Sequence, residues 1–288
     1  MDALSFSVLR RFVLFIILAL SYSSFVVAGE TIKVGVISLA PPAKIYKEWQ
    51  PFADYLTDKI GKQVEIVVPR GFKKIKAAVE KNTVDVFYVN SYVLYRLKQE
   101  GKAIPIAQMQ NLNGSIYSTS VMFVRTDSGI ETIKDLKGEK VAFVSPMGAG
   151  GYLAPRALFY KEGIKTKSET KEQFTKNLSS SIHKVLLGDV KAGTMCGLNF
   201  DLMTKRLKIG DLKIISKSEN YPENAFGAHP NLDKAVRSKI QNVIVAMDSD
   251  VKGRKVLDGM KGMKILKFVA YDKKAEDVTR KLLEVAEF

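Results

Sequence analysis

What most limits the fold of this chain is a strand–helix alternation that runs through its first hundred residues and then restarts. Residues 32–37 form a β-rich run with Gly35 inside it. Trp49, Phe52, Ala53, Leu56 and Ile60 follow at helical spacing, with Pro51 near the start and Gly61 at the end. Residues 64–68 make a second strand closed by Pro69, and Ile75, Ala78 and Val79 mark a second helix. Residues 84–89 make a third strand, and residues 94–100 a helix stopped by Gly101. This series predicts a parallel sheet with helices on both faces. Residues 117–125 read as a longer extended segment, closed by the turn Asp127-Ser128-Gly129. The pattern then restarts with a short helix at 132–136, a strand at 141–144, a glycine-rich turn at 147–151 and a helix at 152–162. A helix at 179–187 and strands at 190–195 and 212–215 follow, and the chain returns to the first sheet near Phe226. Leu232, Ala235, Val236, Ile240, Val243, Ile244 and Met247 pattern an amphipathic helix, and residues 274–285 a last one.

The expected architecture is α/β with two lobes, each a mostly parallel sheet flanked by helices. Lobe one takes residues 30–121 plus 228–288, and lobe two residues 122–227. In such proteins the ligand cleft opens between the lobes, at the carboxyl ends of the strands.

Residues 1–28 read as a cleavable secretory signal. Arg10 and Arg11 give the positive start, residues 12–20 an apolar run too short to span a bilayer, and Val26 and Ala28 the small residues before a cut at Gly29. The mature protein is therefore expected in the periplasm. Cys196 is the single cysteine, so an exported chain of this sequence has no internal disulfide and relies on its core. His183 and His229 are the two histidines, with no cysteine near them in sequence, and no metal site or cofactor is expected. The motifs of nucleotide loops, nucleophile elbows and zinc proteases are absent. The formal net charge of +15 suggests an anionic ligand or surface. The lysines are scattered along helices rather than interleaved with aromatics, so no nucleic-acid partner is expected, and the chain is read as a monomer.

Several ordered blocks resemble the phosphate/phosphite/phosphonate class of periplasmic solute-binding proteins that serve ABC transporters. They are IKVGVISLAPPAKIYKEWQPFADYLTDKIGKQVEIVV (32–68), VEKNTVDVFYVNSYVLYRLKQEG (79–101), SGIETIKDLKGEKVAFVSPMGAGGYLAPRALFYKEGI (128–164), VLLGDVKAG (185–193) and FVAYDKKAEDV (268–278). The resemblance implies a hinge-bending, two-lobed binding protein of the type 2 periplasmic fold, without catalytic activity. It also implies a small-molecule ligand, passed to an ABC permease.

The side chains with which that family holds its ligand are largely replaced. Its Ser-Thr-Ser-Gly turn is Gly148-Ala149-Gly150-Gly151 here, one of its tyrosines is Phe72, and another aligns with Leu94 between Tyr92 and Tyr95. Its Ser-His pair aligns near Asn177-Leu178, and its Trp-Asp pair with Cys196-Gly197. From the residues themselves, Gly148, Ala149, Gly150 and Gly151 precede a helix, so their amides favour an anion. Tyr88, Asn90, Ser91 and Tyr92 follow the third strand, where an α/β cleft opens. Ser120 lies on the crossover, Ser145 ends the strand before the glycine turn, and Asn177 stands ahead of a helix. These eleven are the candidate ligand residues. Tyr88 has core packing as its competing reading, Ser145 capping of the turn, and His229 a surface or hinge position. A receptor that docks on a membrane sensor protein is the alternative to transport, and an exported enzyme a third reading without a visible nucleophile–base pair.

Overall fold

The computed structural model describes residues 31–37, 41–207 and 209–288. The signal segment and Ser38 lie outside these residues. Thirteen strands are described: β1 (Ile32–Val36), β2 (Val64–Val67), β3 (Val86–Val89), β4 (Ile104–Asn111), β5 (Tyr117–Ser118), β6 (Ser120–Arg125), β7 (Lys140–Phe143), β8 (Lys171–Phe174), β9 (Ala192–Cys196), β10 (Leu212–Lys217), β11 (Tyr221–Pro222), β12 (Ala225–Ala228) and β13 (Ile265–Ala270). Ten α-helices accompany them: α1 (Pro42–Ile60), α2 (Phe72–Glu80), α3 (Ser91–Gln99), α4 (Ala154–Lys161), α5 (Thr166–Glu169), α6 (Leu178–Leu186), α7 (Gly197–Leu207), α8 (Lys234–Val245), α9 (Val251–Met260) and α10 (Lys274–Val285).

The strands form a six-stranded sheet in the order β13-β4-β12-β3-β1-β2, a five-stranded sheet β10-β6-β9-β7-β8, and a two-stranded ribbon β11-β5. The chain leaves the first sheet after Asn111 and is back in it at Ala225, passing the ribbon in each direction. Both large sheets are mixed, where the alternation predicts mostly parallel ones. β1 pairs parallel with β2 and β3, but β12 runs antiparallel to β3 and β4, and β13 to β4. In the second sheet β7 is parallel to β8 and β9, and β6 antiparallel to β9 and β10. The reversed strands are those the chain enters from the ribbon: β6 follows β5 and β12 follows β11 within a few residues, while β13, joined to β12 through α8 and α9, runs parallel to β12 and so opposite to β4.

Local chemistry explains the main elements. α1 begins already at Pro42, with Pro51 inside it rather than at its start, because Ile45, Trp49, Phe52, Leu56 and Ile60 give it one buried stripe. It stops at Gly61, whose φ of 71° is left-handed and lets its amide reach the Thr57 carbonyl. Trp49 and Phe52 pack with Tyr88, Phe226 and Phe268 into an aromatic cluster on one face of the first sheet, with ring centroids between 4.9 and 6.2 Å apart. α2 and α3 cover the other face through Ile75, Val79, Val93 and Leu97. Phe143, Tyr152 and Phe159 form one core of the second sheet, and Phe123, Ile182 and Phe200 the other.

β3 and β4 both run antiparallel to β12, so they point the same way. Asn90, after β3, and Asn111, at the end of β4, therefore share one edge of the first sheet. Lys264, just ahead of the antiparallel β13, stands at the same edge.

Candidate functional site

The centre of the candidate site is the turn after β7. Ala149–Leu153 is a single wide turn with a π pattern that runs directly into α4. Every carbonyl from 148 to 151 has a donor. Gly148 accepts from the Leu153 amide at 2.9 Å, Ala149 from Ala154, Gly150 from Ser120 Oγ at 2.6 Å, and Gly151 from Thr194 Oγ1 at 3.1 Å and the Val144 amide at 3.2 Å. The amides of Ala149, Gly150, Gly151 and Tyr152 have no backbone acceptor outside the turn itself among the described residues. N–H groups left without such an acceptor at the start of a helix suit an oxyanion.

The candidates reach this turn to different degrees. Asn90 caps α3, its Oδ1 accepting from the Val93 amide at 2.9 Å, while its Nδ2 donates to the Met147 carbonyl at 2.9 Å. It thus ties the edge of the first sheet to the turn of the second. Tyr92 packs against Ala149 and Leu153. Ser91, the first residue of α3, is buried beside them in sequence. Ser145 Oγ faces the Met147 amide at 3.4 Å, and its carbonyl accepts from the Gly148 amide, so it shapes the turn. Ser120 is fully buried, its hydroxyl within bonding distance of the Gly150 and Met195 carbonyls. It supports the turn from below.

Two candidates stand apart from the turn. The Tyr88 ring belongs to the aromatic cluster, and its hydroxyl meets Met109 Sδ at 2.9 Å. Burial, reinforced by the Glu223 charge, pushes its phenol far above the usual range, so it stays neutral. Asn177 is exposed and caps α6, accepting from the Ser180 amide at 2.8 Å. His229, read as a surface or hinge residue, is buried at the end of β12, and its Nδ1 accepts from the Asn231 amide at 3.2 Å. Among the described residues no group of three or more His, Cys, Asp or Glu is placed to hold a metal ion.

Beside the turn lies a polar cluster whose members are not among the eleven candidates. On the ribbon, Tyr221 pairs across from Ser118, and Glu223 follows two residues later on the same face. Glu223 Oε1 accepts from Ser118 Oγ and from Asn111 Nδ2 at 3.0 Å. Cys196, ending β9, lies 3.7 Å from Ser118 Oγ. Tyr221 touches Cys196, Ser118 and the face of Gly150. Burial first, then the neighbouring Cys196 and Glu223, push its phenol well above the usual range. Burial lowers the Lys264 ammonium, against the pull of Cys196 and Glu223. The sequence signal for these residues is the Tyr-x-Glu spacing at 221 and 223, which puts both side chains on one face of any extended segment.

Two α/β sheets joined through a two-stranded ribbon, with a glycine turn ahead of α4, are the architecture of a two-lobed α/β protein. The family model described as "ABC transporter, phosphonate, periplasmic substrate-binding protein" matches residues 34–275, and the chain belongs to that family. The chain is 26% identical over 241 residues to the phosphate-import protein PhnD of Mycolicibacterium smegmatis, covering 77% of this chain and 73% of that protein. It is 25% identical over 149 residues to the tetrathionate sensor histidine kinase TtrS of Salmonella typhimurium, half of this chain and a quarter of the kinase. Among solved structures, a binding-protein component of an ABC phosphonate transporter from Pseudomonas aeruginosa superposes with a TM-score of 0.78 at 20% identity, covering 89% of this chain and 86% of that one. The family resemblance and the two-lobed α/β class read from the sequence are borne out by these matches.

Proposed function

We propose that this protein captures a small oxyanion at the amides of residues 149–152 and delivers it to an ABC permease, as a monomer working in the periplasm after loss of residues 1–28. The observation that carries this reading is the asymmetry of the turn, with carbonyls engaged and amides free. Its ligand set comprises Gly148, Ala149, Gly150 and Gly151, with Asn90, Ser91, Tyr92 and Ser145 on the facing loop and in the turn. Ser120 positions the Gly150 peptide. The family match and the import protein both extend over most of the chain, which favours transport over a sensor role; the sensor kinase matches half of it. The mechanism is hinge closure, the ligand favouring the closed state because only there do both walls touch it. Binding, not turnover, is the activity.

The turn offers backbone donors but no hydroxyl of its own. Each charge-assisted hydrogen bond adds about 1.5–3 kcal/mol, so simple phosphonates are held in the micromolar range or weaker. Calorimetry and thermal shift with inorganic phosphate and methylphosphonate test this. A ligand at about 100 times its dissociation constant adds about 2.7 kcal/mol of stability. Absence of any shift at millimolar oxyanion overturns the reading, and submicromolar affinity shows that amides alone suffice.

A further inference from the structure

We propose that the cavity between α10 and the connection from β10 to β11 is a second binding site, suited to a small amphipathic carboxylate such as hexanoate. The cavity has a volume of about 590 Å³, which falls in the range of small-molecule sites. None of residues 145–153 lines it, so it is separate from the glycine turn and does not depend on the oxyanion reading above. One wall is a stripe of α10, where Val278, Leu282 and Val285 follow at helical spacing. Leu282 is rooted in a core cluster with Tyr92 and Ala157, whereas Val285 is 38% exposed. The apolar face of the helix thus runs out of the core into the cavity. The facing wall is Tyr117 on β5, with Ser218, Glu219 and Asn220 of the connection. Burial, then the Asp272 charge, raise the Tyr117 phenol, so it stands there as a neutral hydroxyl.

The charges around this cavity do not balance. Lys161, which also lines it, pairs with Glu219. The two carboxylates one turn away from Lys281 on its own helix, Asp277 and Glu284, are both held by Arg280, at 3.4 and 2.7 Å. Lys281 lines the cavity and is left with no carboxylate within 4.0 Å among the described residues. Ser218 Oγ is engaged by the Ser120 amide at 2.8 Å and by the Glu219 carbonyl at 2.7 Å. The Asn220 side chain has no hydrogen-bond partner among the described residues, which leaves its amide as a further donor. An apolar wall, one unpaired ammonium and two neutral donors match a hydrocarbon body that carries a single carboxylate. An uncharged molecule of the same shape covers the apolar stripe but leaves Lys281 unpaired.

The test is calorimetry on the mature protein with hexanoate and its uncharged counterpart hexanamide, with methyl NMR to locate the site. Hexanoate is expected to saturate at millimolar concentration, to bind about 5-fold tighter than hexanamide, and to shift the methyl resonances of Val278, Leu282 and Val285. Lys281→Gln is expected to bring the acid down to the affinity of the amide while leaving the amide unchanged. Val285→Trp, which fills the cavity from an exposed position, is expected to remove the binding of both. Should either variant not fold, the comparison of acid with amide on the unmodified protein still decides. No saturation by about 10 mM, equal affinity for acid and amide, an unchanged acid affinity in Lys281→Gln, or methyl shifts at Leu153 in place of Val278 and Val285 overturns the site. Each of these outcomes leaves the oxyanion reading standing, since that is decided by phosphate and methylphosphonate.

Discussion

The ring of Tyr221 occupies the space that a side chain at Gly150 would need. A Cβ built at position 150 stands 2.6 Å from Tyr221 Cζ and closer still to its hydroxyl. Backbone conformation is not the obstacle, since none of Gly148, Gly150 and Gly151 has a positive φ. Gly151 is closed in the same way by Val144, whose Cβ is 2.8 Å from its virtual Cβ, while Gly148 meets only the Ser145 carbonyl at 3.2 Å. The family's hydroxyl-bearing turn is therefore excluded at 150 by packing. Gly150→Ala is expected to destabilise by about 1–3 kcal/mol through overpacking. Tyr221→Ala costs about 3–5 kcal/mol as a cavity, and the double variant less than the sum by about 1 kcal/mol or more. Urea unfolding of the four proteins measures the coupling; strict additivity would refute the competition for space.

Asn90 does two jobs with one side chain, and they separate by mutation. Its Oδ1 caps α3 and its Nδ2 bonds the Met147 carbonyl across to the second sheet. Asn90→Ala is expected to lose about 1–2 kcal/mol, and Asn90→Ser, which still caps, about half of that. The remaining loss in the serine variant measures the bridge. Thermal unfolding that places Asn90→Ser level with the unmodified protein would assign the whole effect to the cap.

The legible elements were those whose apolar residues repeat at one period. β1, β2, β3 and the stripe of α1 are examples. β4 was not legible because Gln108, Gln110 and Asn111 interrupt its apolar face. Gln108 is fully buried all the same, with Oε1 unpartnered. α9 hid behind Lys252, Arg254 and Lys255, which are exposed beside a narrow buried face of Gly253, Leu257 and Met260. The glycine turn is visible because glycine before a helix is a local signal. The polar cluster is not, because Ser118 and Glu223 meet across 105 residues of sequence through a ribbon of two-residue strands. Local periodicity carries no information about such a meeting. Tyr88 shows the converse: its place after a run of strand residues suggested a ligand contact, and its ring is held within the aromatic cluster.

Arg156 is 2% exposed, and its partners among the described residues are carbonyls and hydroxyls rather than carboxylates. Its guanidinium donates to the Ala286 carbonyl at 2.8 Å, Tyr152 Oη at 3.1 Å and Tyr160 Oη at 2.8 Å, and lies 4.2 Å from the Phe288 ring centre. This planar fork joins α4 to the end of α10. Burial and the nearby Glu172 push the Tyr152 phenol up to about 12, and Arg156 holds it from going higher. Arg156→Met fills much of the volume but leaves the carbonyl and hydroxyls short of a donor, at a cost on the order of 3 kcal/mol. Arg156→Lys, lacking the fork, is expected to recover less than half. Ultraviolet titration should show one tyrosine ionising at higher pH in Arg156→Met than in the unmodified protein; unchanged stability and titration would mean the fork is dispensable.

His229 gives the fold an acid sensitivity whose sign is fixed by its surroundings. Burial lowers its pKa below the ordinary 6.5, Lys102 lowers it further, and Asp85 opposes both. The Nδ1 that accepts from the Asn231 amide must be unprotonated to do so. In the unfolded chain the imidazole takes up a proton as pH falls through about 6.5, whereas in the folded chain it resists until a lower pH. Between those two values the unfolded state binds more protons, so stability rises with pH and falls on acidification. Above about pH 7.5 both states are neutral and the contribution is flat. His229→Gln keeps an acceptor for the Asn231 amide but cannot titrate. Urea midpoints at intervals from about pH 5 to about pH 7.5 should therefore fall more steeply for the unmodified protein than for His229→Gln, with the two curves parallel above about pH 7. Parallel curves throughout, or a steeper fall in the glutamine variant, would show that protonation of this buried imidazole does not oppose folding.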